Sequence, residues 1–484
     1  MRSQGINSYE GAEDLNLLPN RCRLQPTWAA AGAAHGLIQR MSVAESRLHE
    51  DTAMLLDTLE LTTQRENIEV PSKDTEGRQR LLKQLNLALR IARRTIQFLG
   101  AKGFTGADSR EGNFAAEKPL AEAAMLLHAA KEERSDPGVK DVFDGLLRDL
   151  MLYARSKQMR WDVLRYPSVC LQLATPHILL SILGYGDSQF DGLLEQAAAA
   201  CASRGHELVP YRELEVIWLQ SLWRTQSPGR ELEETACKTA LGNPIDLLNG
   251  TRDDAYAHTH ALMYYTDFGN WQKTLPRPAE EFLGESAVVL ARALIVEDYD
   301  LAAEALMAWP LTSSVWSPAA ALGFRVLASL EDKVGFLPAG PSASKRILEL
   351  EGEERTKYAL ASSYHTAFVM GMLCALSLKS GTPSPYEIAG PSFSVTLIEN
   401  LQTFIPKTGA YWEEVFQSLS PNEKAALGPF LLDVAIVRSS QRGEFAQMTR
   451  LLETAIQNGM ADTTLCAQSA ELLSRIAALD GWSA

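Results

Sequence analysis

The sequence lacks several features that would assign a chain to a class at once. Its six cysteines are scattered over 484 residues, with no Cys-x-x-Cys pair or other metal-ligand spacing, as is typical of reduced thiols in a cytoplasm. No uninterrupted apolar run reaches the roughly 18–20 residues that a membrane-spanning helix needs. The N-terminus carries no credible signal peptide. These absences predict a cytoplasmic protein that does not act in a membrane.

Positive charge is scarce as well. Lysine and arginine number 46 against 60 aspartate and glutamate residues, which gives a formal net charge of −14. A surface of that sign repels phosphate backbones, so the composition argues against nucleic acid as a partner.

Familiar catalytic motifs are missing too. We find no Walker loop, GxGxxG, GxSxG or SxxK motif, and these absences argue against the common nucleotide sites and serine nucleophiles. Asp253-Asp254 lacks the third aspartate of the DDxxD metal motif of terpene synthases, because Ala257 stands in its place. Asp298-Tyr299-Asp300 only begins a DxDD motif, and we interpret it as the cap of a helix over 301–308. The sequence predicts no cofactor and no bound metal.

Helical periodicity is what the sequence does contain. Apolar residues recur at steps of three or four over 81–99, and similar patterns predict helices over 118–131 and 138–157. Ser420-Pro421-Asn422-Glu423 carries the residues of a capping box with proline at the first helical position. Convincing strands are missing throughout, so we predict an all-α protein.

Glycine and proline interrupt the helical patterns at fairly even intervals. That spacing is typical of helical hairpins, which stack into a curved α-solenoid or close into an α/α toroid. We predict a flexible leader over 1–40, an N-terminal helical module over 41–158 and a toroid-like or solenoid body over 159–484.

The most informative stretch is 253–269, which reads DDAYAHTHALMYYTDFG. On a helix, one stripe of this segment holds Tyr256, His260, Tyr264 and Asp267. His258 lies about 200° away from His260 around the axis, so the two cannot chelate one metal. A line of hydrogen-bonding groups around His260 can instead orient an imidazole for acid–base catalysis. The alternative interpretation is a buried polar network that only fixes helix packing.

A second cluster, Ser362 to Thr366, places His365 between the hydroxyl-bearing Tyr364 and Thr366. Alone, such a histidine is most often a satisfied core residue. If its helix shares a cavity with 253–269, His365 and His260 become an acid and a base on opposite sides of a substrate. The loop 335–341 is either the roof of such a cavity or an ordinary connector.

Together these clusters predict a catalytic site. His260 is the expected base, oriented by Asp267 or a neighbouring carboxylate, and Tyr264 or Tyr256 is expected to stabilise developing negative charge. His365 completes the catalytic set. The further residues expected to bind substrate are Asp253, Asp254, His258, Tyr364, Thr366 and Phe336. His258 also suits a structural pairing with Asp254, one turn earlier.

Three sequence elements carry a resemblance: Tyr256-Ala257-His258-Thr259-His260, the stretch Tyr265 to Gly269, and Tyr364-His365-Thr366-Ala367. Over about residues 120–380 the chain resembles an uncharacterised bacterial family that has YAxTH…YxTDFG and YHT elements and is often encoded near natural-product genes. The resemblance implies a setting in bacterial specialised metabolism. In that setting we predict a tailoring enzyme that acts on a peptide or small molecule, with a biosynthetic enzyme as a further expected partner.

In helical layout the chain is also similar to α/α-toroid enzymes, among them terpene cyclases and peptide thioether cyclases. That similarity implies an addition or a cyclisation. The zinc-dependent thioether cyclases hold their metal with two cysteines and a histidine. No Cys-His adjacency occurs here, so only a metal-free relative would fit. The rival hypothesis is a non-catalytic helical-repeat scaffold, which predicts an open concave face and the two histidines in separate packed cores.

Overall fold

The structure is a computed structural model, and it describes residues 73–98, 116–202, 205, 207–340, 346–347, 349–379, 384–405 and 407–480. Within these ranges the chain forms helices and no strands, which confirms the predicted all-α fold class. The predicted leader over 1–40 lies outside the described residues. The toroid or solenoid arrangement and the boundary near residue 158 stay predictions.

The first group of helices runs from residue 73 to residue 236. Their bounds are α1 Lys73–Phe98, α2 Glu117–Ala129, α3 Pro137–Ala154, α4 Lys157–Arg165, α5 Cys170–Leu173, α6 Thr175–Ile182, α7 Ser188–Ala202, α8 Pro210–Trp223 and α9 Arg230–Ala236. Two short 3₁₀ segments, Lys131–Ser135 and Pro167–Val169, connect members of this group.

The second group completes the described chain. Its bounds are α10 Arg252–Tyr265, α11 Ala279–Ile295, α12 Tyr299–Leu306, α13 Ala308–Leu311, α14 Pro318–Val334, α15 Gly352–Leu378, α16 Val395–Thr403, α17 Tyr411–Ser418, α18 Pro421–Ala425, α19 Gly428–Gln441, α20 Phe445–Gln457 and α21 Thr464–Asp480.

Side-chain caps set several of the helix starts that the sequence predicts. Ser420 accepts a hydrogen bond from the Glu423 amide, and the Glu423 carboxylate reaches back to the Ser420 amide, so the predicted capping box is confirmed. Asp298 caps α12 by accepting from the Leu301 amide. This cap is also confirmed, although α12 begins at Tyr299, two residues before the predicted start.

Helix α15 is the central helix, and it packs against α1, α2, α12 and α13. From Thr366 to Leu378 every residue is buried. It is also the one helix in the described ranges that is long and apolar enough to cross a membrane, yet 78% of its most apolar window is buried inside the protein. Burial of that extent is what a core helix requires, because its apolar faces all meet other helices.

The central helix lies close to two neighbouring helices at Gly371. A Cβ at this position would lie 2.5 Å from the Ala88 Cβ on α1 and 2.9 Å from Leu126 Cδ1 on α2. We therefore expect Gly371→Ala to lower the free energy of unfolding by about 1–3 kcal/mol, because the backbones must separate to admit the methyl group. Urea denaturation monitored by circular dichroism measures this change in the free energy of unfolding.

The matched control is Gly192→Ala on α7, where no atom lies within 4 Å of the added Cβ. There alanine should stabilise the chain by about 0.5–1 kcal/mol, through helix propensity alone. Equal effects at the two glycines would contradict the close approach at Gly371.

Candidate active site

A cavity of about 650 Å³ opens between α2, α8, α10, α12 and α15. This volume is in the range of sites that hold small molecules. The charged side chains that line it are the carboxylates of Glu117, Glu122, Glu215, Asp253, Asp300 and Glu304 and the cations of Lys118, Arg212 and Arg252. Carboxylates thus outnumber lysine and arginine, and the histidines His260 and His365 also line the wall.

Helix α10 carries the predicted stripe to this wall. A capping box between Thr251 and Asp254 starts the helix, and the 3.6-residue period then places Tyr256, His260 and Tyr264 on one face. The imidazole of His260 lies between the two tyrosine rings, with centroids 5.6 Å from Tyr256 and 5.9 Å from Tyr264. All three side chains line the cavity.

The partner of His260 is a glutamate on a different helix. His260 Nε2 lies 3.3 Å from Glu304 Oε1, and the hydroxyl of Thr259 donates to Glu304 Oε2 at 2.6 Å. His260 Nδ1 is buried and has no hydrogen-bond partner among the described residues. Glu304 is therefore the neighbouring carboxylate that orients His260.

His365 stands between two carboxylates. Its Nδ1 is 2.8 Å from Glu122 Oε2, and its Nε2 is 3.1 Å from Asp300 Oδ1 and 3.9 Å from Glu304 Oε1. Burial by itself lowers the pKa of His365, but the charges of Asp300 and Glu122 raise it well above its ordinary value. His365 is therefore an imidazolium that forms ion pairs with both carboxylates.

Asp300 is the carboxylate that contacts both His365 and Tyr256. Burial raises its pKa, but His365, Tyr256 and Arg252 together hold that pKa below its usual range. The Tyr256 hydroxyl donates to Asp300 Oδ2 at 2.7 Å, so the two oxygens of this carboxylate face different neighbours. Asp300 is therefore ionised and fixed in orientation.

The two tyrosines on α10 both donate their protons to carboxylates. Tyr256 donates to Asp300, and the Tyr264 hydroxyl donates to Glu215 Oε1 at 2.9 Å. Burial and then these carboxylates raise the pKa of both phenols well above the ordinary value, so both stay neutral. The tyrosines position Asp300 and Glu215, and the expectation that they stabilise negative charge on a substrate stays a prediction.

Asp267 does not line the cavity, which corrects its predicted catalytic role. Helix α10 ends at Tyr265, and Asp267, Phe268 and Gly269 all adopt left-handed backbone angles, with φ of 49°, 52° and 74°. This turn removes Asp267 from the helical stripe. Its Oδ1 accepts from Trp218 Nε1 at 2.7 Å and lies 2.8 Å from His128 Nε2. Asp267 therefore ties α2 and α8 to the turn after α10.

Asp254 and His258 are also structural, and they are not paired with each other. The Asp254 carboxylate accepts from the Thr251 amide and hydroxyl at the start of α10. His258 is fully buried, stacks on Phe282 with ring centroids 4.0 Å apart, and has its Nε2 2.9 Å from the Ser286 hydroxyl. Burial lowers the pKa of His258 to about 3, so this imidazole is neutral.

Of the remaining residues that the sequence predicts to bind substrate, three line the cavity and one does not. Asp253, Tyr364 and Thr366 line the cavity. Phe336 does not, although Ala339 of the same loop does. The loop 335–341 thus reaches the cavity through its described residue Ala339, and Phe336 is corrected to a half-buried position beside it.

The sequence interpretation missed the carboxylates that hold the histidines. Asp300 and Glu304 are four residues apart on α12, a spacing that puts both on one helix face, and this signal was open to detection. Glu122 and Glu215 carry no local signal, because they meet His365 and Tyr264 only through packing of separate helices.

Comparison with known proteins adds a family but no activity. A family model described as a domain of unknown function (DUF6895) matches residues 86–375. This span contains every charged residue that lines the cavity. No curated protein and no solved structure matches the chain.

Proposed function

The chain belongs to the DUF6895 family, and we propose that it is an enzyme that uses His260 as a general base on a peptide or small molecule bound in the cavity. A single base that takes a proton from the substrate and then returns it to the product suits an addition or a cyclisation. In the setting that the sequence resemblance implies, this is a tailoring step of specialised metabolism.

One observation carries the proposal: both histidines converge on a single oxygen. His260 Nε2 and His365 Nε2 lie 3.3 Å and 3.9 Å from Glu304 Oε1, on the wall of one cavity. A scaffold gives no reason for the imidazoles of His260 and His365 and the carboxylates of Asp300 and Glu304 to meet, from three helices, beside an open volume. Convergence of titratable groups at a cavity supports a catalytic site instead.

The pairing with Glu304 supports a role for His260 as a base. The imidazole lines the cavity, and Glu304 Oε1 lies 3.3 Å from its Nε2. The imidazole then takes a proton from a hydroxyl, thiol or amine of the substrate, and Glu304 stabilises the imidazolium that forms. The nucleophile bonds to one carbon of a polarised double bond in the same or a second molecule, the π electrons move to the other atom of that bond, and the proton is returned there.

The lining argues for a class of substrate. Because carboxylates outnumber lysine and arginine around the cavity, a polyanionic or phosphorylated substrate would be repelled. A neutral or amine-bearing molecule fits this charge balance. The volume of about 650 Å³ accommodates a small molecule or a few residues of a peptide.

The test compares wild-type chain with His260→Ala in a metabolite extract of the encoding organism, followed by mass spectrometry. We expect the wild type to consume a defined compound and His260→Ala to consume it about 10²–10⁴ times more slowly, which is the usual contribution of a general base. Thermal melting establishes that the variant is folded.

The matched control is His177→Gln. His177 also pairs with a carboxylate, with Nε2 2.9 Å from Asp191 Oδ1, but it does not line the cavity. Its turnover per folded molecule should equal that of the wild type. Consumption by His260→Ala at the wild-type rate, or no consumption by the wild type, would overturn the proposal.

A further inference from the structure

We propose that Asp300, Glu304 and His365 bind one divalent transition-metal ion, such as Zn²⁺ or Mn²⁺, on the wall of the cavity. The inference deepens the proposed function, since the ion would lie beside His260 and polarise a substrate oxygen. Ion binding itself is measured without a substrate, so the two proposals can fail separately.

The first support is the grouping of possible ligand atoms. One ligand atom from each of Asp300, Glu304 and His365 lies within 4.8 Å of the others. Asp300 and Glu304 come from successive turns of α12, and His365 comes from α15, which packs against α12. Two rigid, packed helices therefore hold the three ligands, as a preformed metal site requires.

The second support is the way the outer atoms of the same side chains are held. Tyr256 donates to Asp300 Oδ2, Thr259 donates to Glu304 Oε2, and Glu122 pairs with His365 Nδ1. Metal-binding histidines commonly donate their far nitrogen to a carboxylate, which fixes the ring and its tautomer. Each proposed ligand thus has its outer atom engaged and its inner atom facing the group.

The third support is an inner oxygen with no hydrogen bond. Asp300 is buried, with only 6% of its side chain exposed, and its Oδ1 receives no well-aligned hydrogen bond among the described residues. His365 Nε2 lies 3.1 Å from that oxygen, but the approach is an ion-pair contact outside hydrogen-bond geometry. A buried carboxylate oxygen in this state is stabilised by a cation placed between it and Nε2.

The donor set selects the kind of ion. Magnesium and calcium prefer oxygen ligands throughout, whereas an imidazole with two carboxylates suits zinc, manganese or ferrous iron. Three protein ligands also leave coordination positions for water or substrate, as catalytic metal sites do. When bound, the ion would neutralise both carboxylates, and His365 would be neutral.

The experiment uses the full chain, freed of metal with a chelator and titrated calorimetrically with Zn²⁺, Mn²⁺ or Mg²⁺. We expect one Zn²⁺ or Mn²⁺ to bind per chain and Mg²⁺ to bind far more weakly. Asp300→Asn should weaken binding by at least about 100-fold, and Glu122→Gln by about 10- to 100-fold through loss of the outer hydrogen bond. Glu349→Gln, a change at an exposed carboxylate that does not line the cavity, is the control and should bind as the wild type does.

X-ray absorption of the zinc-loaded wild type provides a readout that needs no variant to fold. It should record nitrogen and oxygen ligands at about 2.0–2.2 Å and no sulfur. Sulfur ligation, binding that Asp300→Asn leaves unchanged, or no stoichiometric binding would overturn the metal site. If the metal site fails while His260→Ala still loses turnover, the proposed acid–base function stands without it.

Discussion

Replacing Asp267 with alanine should lower the free energy of unfolding by about 3–5 kcal/mol. The carboxylate is 2% exposed, and its Oδ1 serves both Trp218 Nε1 and His128 Nε2. Alanine would leave both nitrogens buried without this acceptor, and it would also favour the left-handed angle of the turn less than aspartate does. Urea denaturation followed by tryptophan fluorescence measures the loss.

The control for Asp267 is Asp253→Ala, in the same seventeen-residue segment. Asp253 is exposed, so its loss should change the free energy of unfolding by no more than about 0.5 kcal/mol. A loss of stability at Asp267 no larger than that at Asp253 would contradict the structural role of the turn.

The stability of the chain should fall between pH 5 and pH 8 because of Glu331 on α14. Burial raises the pKa of this carboxyl to about 7, although Gln84 donates to it at 2.9 Å. The pKa of Glu331 is higher in the folded chain than in the unfolded chain. The stabilising contribution of its protonated carboxyl is therefore fully present below about pH 4.5 and is lost as the pH rises through 7. Over this window the free energy of unfolding should fall by up to about 3 kcal/mol, as the difference between the folded and unfolded pKa values requires.

Glu331→Gln isolates this contribution, since glutamine cannot ionise and can still meet Gln84. We expect its free energy of unfolding to lose the pH-dependent part and to exceed that of the wild type at pH 8. Glu349→Gln, an exposed change, should keep the wild-type pH dependence. Chemical denaturation at pH 5, 6, 7 and 8 distinguishes the variants, and parallel curves for Glu331→Gln and the wild type would refute the assignment.

Local patterns in the sequence predict the fold class because helices are specified locally. The apolar stripe over 81–99 predicts α1, and the capping residues at Ser420 and Asp298 predict two helix starts. Such signals act within one or two turns of chain, so periodicity and caps are visible without any tertiary information. The start of α1 at Lys73 is less visible, because polar residues occupy its first turn.

Only part of the candidate site can be predicted from the sequence. Tyr256, His260 and Tyr264 share a face by helical period alone, and His365 was separately noticeable among hydroxyls. Their partners come from α2, α8 and α12, and only packing brings those helices together. The helical period places Asp267 on this face only if the helix continues past Tyr265, and the chain instead enters a left-handed turn there. Phe268 in that conformation could not be anticipated, since bulky residues rarely adopt it.

A crystal structure of the chain after incubation with the metabolite extract tests the central claim most directly. The claim is that His260, His365, Asp300 and Glu304 meet on one cavity wall and act on a compound bound there. We predict electron density for a compound in the cavity, within hydrogen-bond distance of the His260 imidazole, with both histidines beside Glu304. A structure in which the two histidines lie in separate packed cores, or in which the compound binds elsewhere, would contradict the account.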